Sequence, residues 1–179
     1  MQSSGLAGIL RLDRLNRKAK RLAFSKYRDE NFSASSLARP WVQAEEIIMI
    51  GFVGNIDELT ENNSDFRHVL YTGRNLQLVL MAIAPGDQIG EEVHEDRDQF
   101  FRVEYGEGEV QIDGVSTAVA ADDAIIVPAG ARHNVINRGT GLLQLYTIYG
   151  PPEHVDGVIH RTKADAEGSH EHFDGRTTE

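Results

Sequence analysis

From Ile47 onward the chain is a succession of short β-rich runs, each closed by turn residues, and no stretch is long enough for a helical core. The runs are Ile47–Val53, Phe66–Thr72, Leu76–Ala84, Gln99–Tyr105, Glu109–Asp113, Val115–Val119, Ala124–Val127, Val135–Asn137 and Leu142–Tyr149. Between them stand Pro85-Gly86, Gly106-Glu-Gly108, Asp113-Gly114, Pro128-Ala-Gly130 and Arg138-Gly139. Asp-Gly between two strand-like runs is a type I′ hairpin signal. Many short strands with regular turns call for an all-β, antiparallel sandwich or barrel. Asn55–Asn63 is the one segment that reads as a turn or two of helix.

Charge divides the chain. Residues 1–48 carry nine Lys/Arg against five Asp/Glu, whereas the whole chain has a net charge of −10. The expected organisation is therefore a basic N-terminal extension over 1–48, a barrel over 49–160 and a polar C-terminal tail over 161–179. The extension is expected to be disordered or weakly helical. Its Arg-rich, acid-poor start also fits a transit peptide, while a secretory signal fits poorly for want of an apolar core. The expected compartment is the cytoplasm. The acidity of the body argues against nucleic acid as partner, and no apolar run reaches the ~20 residues of a membrane span. The absence of Cys excludes disulfides, thiolate metal sites and cysteine nucleophiles. Lys163 is the only Lys beyond position 49, which leaves Schiff-base chemistry almost without a candidate.

Two segments hold residues suited to chemistry. The first is Gly86-Asp-Gln-Ile-Gly-Glu-Glu92-Val-His94-Glu-Asp-Arg-Asp-Gln99, and the second is Pro128-Ala-Gly-Ala-Arg-His133-Asn-Val-Ile-Asn137. In an extended strand, residues two apart share a face. Glu92 and His94 thus point together while Val93 points away, and Gln99 returns to the same pocket after a short turn. The Pro-x-Gly turn aims His133 there from another strand. Imidazole nitrogens with carboxylate and amide oxygens suit a borderline divalent metal. The opposing expectation is an empty site whose polar groups satisfy one another. His170 and His172 form a second His-x-His, but in a polar tail without a third ligand, so they read as solvated. His154 and His160 flank the Pro-rich exit of the barrel, where they would cover a pocket mouth.

These segments resemble the two motifs of the cupin superfamily. The second cupin motif, Pro-x-Gly-x-x-His-x-x-x-Asn, is matched by Pro128, Gly130, His133 and Asn137, with Asp122 where the family has an earlier Gly. The first is matched at His94 and Gly106, with Glu92 in place of its first His and Gln99 in place of its Glu. The likeness covers about residues 49–160 and is greatest to small single-domain cupins, sugar-phosphate-isomerase-like in type. It implies a jelly-roll β-barrel, a homodimer and a divalent ion (Zn, Mn, Fe or Ni) held by Glu92, His94, Gln99 and His133. The swapped residues leave the ligand charge at −1, as in a three-His, one-Glu set. The function implied is a metal-dependent, isomerase-like enzyme acting on a small-molecule substrate such as a sugar, sugar phosphate or keto acid, with Glu92, if it does not coordinate, as general base. Two alternatives remain: a non-haem iron dioxygenase, since two His and a carboxylate make a facial triad, and a non-enzymatic barrel that binds a small ligand.

Overall fold

The computed structural model describes residues 51–179; the expected N-terminal extension, and the first part of the run Ile47–Val53, lie outside them. Residues 51–53 are not in a strand. The first element among the described residues is a helix, α1 (Ile56–Glu61), capped by the side chain of Asn55. Nine strands follow: β1 (Arg67–Thr72), β2 (Gln77–Ile83), β3 (Asp98–Tyr105), β4 (Glu107–Ile112), β5 (Val115–Ala120), β6 (Ala124–Val127), β7 (His133–Asn137), β8 (Leu143–Gly150) and β9 (Ile159–His160). A short helix, α2 (Lys163–Glu167), comes last. No described helix is long and apolar enough to cross a membrane.

The strands form a six-stranded sheet in the order β6-β3-β8-β2-β1-β9 and a three-stranded sheet in the order β5-β4-β7. Every strand pairing is antiparallel. The fold is thus the expected all-β jelly roll. Period-two alternation decides what lies inside. On β3, Gln99, Phe101 and Val103 are buried while their neighbours are not. On β8, Leu143, Leu145, Thr147 and Tyr149 are buried in the same rhythm. With Val79, Met81 and Ile83 of β2, and Val110 and Val135 from the smaller sheet, the apolar members of these two sets make one core.

Local signals explain how the strands are joined. Asp113 and Gly114 both take positive φ, 47° and 81°, between the paired residues Ile112 and Val115. That is the backbone a type I′ hairpin demands. Asp122 has a φ of 77°, which accounts for Gly at this place in the family motif; Asp is among the few other residues that tolerate it. The Gly106-x-Gly108 pair is only partly a turn, for Gly108 lies within β4. A Cβ there would meet the Ile136 carbonyl oxygen at 2.5 Å, so this glycine permits close approach of two chain segments.

The segment expected as a polar tail returns to the barrel. The Phe173 N–H donates to the Glu153 carbonyl (2.8 Å), and the Thr178 N–H donates to the Thr72 carbonyl (2.8 Å). Glu171 accepts from the Val155 N–H (2.8 Å) and lies 2.9 Å from Nδ1 of buried His154. Burial opposes the charge on Glu171, but its bonds to His154 and Val155 outweigh it and lower the carboxyl from its ordinary 4.5 to about 2. Burial also holds the His154 imidazole below its ordinary value, against the pull of Glu171. Both depressed groups bind more protons unfolded than folded, so both lend stability at neutral pH that acid removes. The Glu171 share is complete above pH 4.5 and disappears as pH falls toward 2. Thermal melts should therefore show Glu171→Gln less stable than the parent at pH 7, with the gap shrinking below pH 4.5. A gap independent of pH would contradict an ionic role for Glu171.

Candidate metal centre

The barrel brings Glu92, His94 and His133 together, with one ligating atom from each lying within 4.8 Å of the others. Glu92 reaches the cluster through a two-residue bridge to His133, in which each N–H donates to the other's carbonyl at 2.9 Å. His94 follows on the loop to β3 and is pinned where its carbonyl accepts the Gly130 N–H (2.8 Å). Val93 between them is exposed, as the alternation requires. His133 opens β7 directly after the Pro128–Ala131 turn, in which the Ala131 N–H donates to the Pro128 carbonyl (3.1 Å). Gln99 enters from β3 on the inward face it shares with Phe101.

Hydrogen bonding assigns each nitrogen of His133 a direction. His133 Nδ1 lies 3.2 Å from the Ala131 carbonyl oxygen, an obligate acceptor, so Nδ1 carries the proton. Burial holds this imidazole below its ordinary pKa, which keeps the ring neutral and leaves a lone pair on Nε2. That lone pair faces Gln99 Oε1 at 3.0 Å, and the Gln99 amide N–H2 donates to Thr147 Oγ1, also at 3.0 Å. Two acceptors facing each other at this distance repel unless a cation lies between them. Donors about 2.1 Å from one ion, at a right angle, stand ~3.0 Å apart.

His94 is arranged alike. Its Nδ1 faces Glu153 Oε2 at 3.6 Å, and Glu153 is held by Arg97 Nη1 at 2.5 Å. Its Nε2 is buried without a hydrogen-bond partner and lies 3.5 Å from Glu92 Oε2. An orphaned imidazole nitrogen, opposite a carboxylate and with an outer carboxylate behind the ring, is the arrangement seen around metal-ligating histidines. Burial raises the Glu92 carboxyl, but His94 and the Arg67 guanidinium outweigh it, so the group sits below the usual range and is an anion. The donor set fits a divalent cation of the transition series: two imidazole nitrogens, one anionic oxygen and one amide oxygen.

Beside Glu92 and His94 lies a cavity of about 220 Å³. Phe66 and Ile89 supply apolar wall, Arg67, Glu92 and His94 the polar floor, and Glu153, His154 and Glu171 the side toward the C-terminal segment. Tyr149 packs edge-on to both His94 (5.6 Å) and His154 (5.2 Å) between their rings. His154 borders the cavity. His172 is exposed and 3.6 Å from Glu153, and His170 is exposed; the metal cluster found among the described residues contains neither. Asn137 is buried but bonds to Ile83, Gly139 and Gly141, so its motif position ties loops together. The sequence reading passed over two residues. Arg67 was discoverable from its inward parity with Val69 on β1. Glu153 had no local signal, since its relation to His94 arises only from closure of the chain.

Comparison with known proteins agrees with this architecture. The family model of the Cupin domain matches residues 79–149. The Bacillus subtilis protein YrkC is 46% identical over 121 residues, 64% of this chain and 65% of the relative, so the match spans just under two thirds of YrkC. A protein of Acanthamoeba polyphaga mimivirus is 36% identical over 123 residues, 66% of this chain and 76% of the relative. A crystal structure from Bacillus halodurans superposes with a TM-score of 0.65 at 46% identity, covering 66% of this chain and 94% of that one.

Proposed function

The chain belongs to the cupin superfamily, and on that premise we propose that Glu92, His94, Gln99 and His133 hold one divalent cation in an enzyme acting on a small polar metabolite. The observation that carries this reading is the convergence of ligating atoms of Glu92, His94 and His133 within 4.8 Å, with His133 Nε2 turned to Gln99 Oε1, His94 Nε2 buried without a hydrogen-bond partner, and an anionic carboxylate beside them. Such a centre, when filled, supplies Lewis-acid polarisation of a carbonyl or hydroxyl oxygen.

The chain's own residues do the rest. Glu92 offers two oxygens in different directions: Oε2 toward His94 and Oε1 toward Arg67. An anionic carboxylate at the cavity floor accepts a proton from the carbon next to a substrate carbonyl. The C–H bond breaks, its electron pair moves toward the carbonyl oxygen, and the proton rests on Glu92. In an α-hydroxycarbonyl substrate the hydroxyl proton passes to the former carbonyl oxygen, and a new C=O forms on the carbon that lost its proton. Glu92 returns that proton to the neighbouring carbon, an isomerisation that needs no external redox partner. Phe66 and Ile89 make part of the cavity wall apolar. Two histidines with one carboxylate also meet the count for a non-haem iron oxygenase, so oxygen dependence is the discriminating variable.

The test is elemental analysis of protein purified without chelators, followed by a metabolite screen with that metal loaded, in air and under nitrogen. About one transition-metal ion per chain and turnover indifferent to oxygen are expected. Failure to take up any divalent metal would overturn the reading, and turnover confined to air would replace isomerisation by oxygenation. Ligand-dependent stabilisation with metal bound and no product would make the barrel a binder.

A further inference from the structure

Arg67 is an unusual residue to find inside a barrel. It opens β1, and the alternation that buries Val69 turns its side chain inward too, so only 8% of the residue is exposed. Its Nε is buried without a hydrogen-bond partner. Its only ion pair among the described residues is with Glu92 Oε1, at 3.8 Å, too long for a hydrogen bond. A buried guanidinium N–H left without a partner is costly, and native interiors seldom tolerate one. The cavity that Arg67 lines is where a partner has room.

We propose that Arg67 binds a carboxylate of the substrate, which sets the substrate class as a small carboxylic acid whose reacting carbon lies beside Glu92. That the carboxylate is a substrate's rests on reading the Glu92–His94–Gln99–His133 cluster as the reaction centre. The guanidinium presents a planar fork of donors that matches a carboxylate in a two-point hydrogen bond. Charge selects a single negative charge over a double one. Glu92, Glu153 and Glu171 surround the cavity, and its other ammonium, Lys163, is already paired with Asp87 at 3.1 Å. One guanidinium, loosely paired with Glu92 and set among these acids, accommodates a carboxylate, whereas a phosphate dianion meets net repulsion. At about 220 Å³ the cavity suits a metabolite of a few carbons.

The experiment uses the full chain, in metal-loaded and metal-stripped forms, titrated with pyruvate, with its neutral analogue pyruvamide and with inorganic phosphate. The readout is the Arg67 Nε–Hε resonance, assigned by its loss in Arg67→Gln, together with binding affinity and metal content. Pyruvate is expected to shift that resonance in both forms, pyruvamide not at all and phosphate less than pyruvate. Arg67→Gln should weaken pyruvate binding about tenfold or more with metal content unchanged, and Arg67→Lys should recover part of it. A resonance unmoved by pyruvate overturns the proposal; should Arg67→Gln fail to fold, the resonance is assigned in the parent from its through-bond correlations along the Arg67 side chain. So does equal response to pyruvamide, or preference for phosphate. Loss of metal in Arg67→Gln with pyruvate affinity intact would show that Arg67 serves only to position Glu92. If the parent binds no metal yet pyruvate still shifts Arg67, the metal-centre reading fails while the carboxylate site stands.

Discussion

His133→Ala is expected to abolish metal binding and turnover together while leaving the barrel folded. The residue supplies the best-oriented donor of the cluster, with Nδ1 committed to the Ala131 carbonyl and Nε2 directed at Gln99. Loss of an imidazole leaves Glu92, His94 and an amide oxygen, a set with one nitrogen and correspondingly poor hold on a transition metal. Disturbing only an outer partner of a metal ligand costs 10–100-fold in affinity as a rule, so removing the ligand should cost about 100-fold or more. The truncation also opens space among Phe101, His94 and Gln99. A drop in thermal stability by ~1–3 kcal/mol is expected from that space, with the strand content seen by circular dichroism unchanged. Full metal occupancy in this variant, measured by elemental analysis after dialysis, would remove His133 from the centre.

The second large effect is expected at Glu92→Gln. The substitution keeps an oxygen donor and nearly the same shape but removes the charge and the base. Turnover should fall by ~10²–10⁴, the range for a lost general base, while metal binding weakens less than in His133→Ala. Steady-state kinetics with metal saturating separates the two losses. Unchanged kcat would show that the proton goes elsewhere, and the isomerisation proposed above would fail even with the metal in place. Gln99→Glu works in the opposite direction, since an added anionic oxygen beside His133 favours a divalent cation.

Much of this arrangement was legible in the residues because it depends on local rules. The Asp113-Gly114 turn, the run Ala124–Val127, which matches β6, and the inward parity of Gln99 each follow from a few neighbouring side chains. Val93 exposed between Glu92 and half-buried His94 is the same rule at work in a loop. Arg67 obeys that rule as well, yet a charged residue at the head of a strand reads as an edge, and burial depends on β9 pairing alongside it through Arg67 and His160. The Glu153–His94 and Glu171–His154 relations could not be read locally. They join residues 59 and 17 positions apart on loops with no repeating pattern. Polar composition made 161–179 look solvated, but hydrogen bonds to specific backbone groups hold that segment down, and these leave no hydropathy trace.

The reciprocal bridge between Glu92 and His133 joins residues 41 apart in sequence, and this has a bearing on when the donors become a set. In an open chain Glu92 and His94 are near one another, but His133 and Gln99 are not held beside them. The four meet only when the loop before β3 has docked on β7, an event of long-range closure that comes late for chains of this topology. An ion with affinity for the closed barrel alone adds to stability by mass action, growing with the logarithm of its free concentration. The bridge thus makes metal supply a gauge of completed folding: nascent or misregistered molecules offer a broken donor set, and the ion accumulates on those whose two sheets have met.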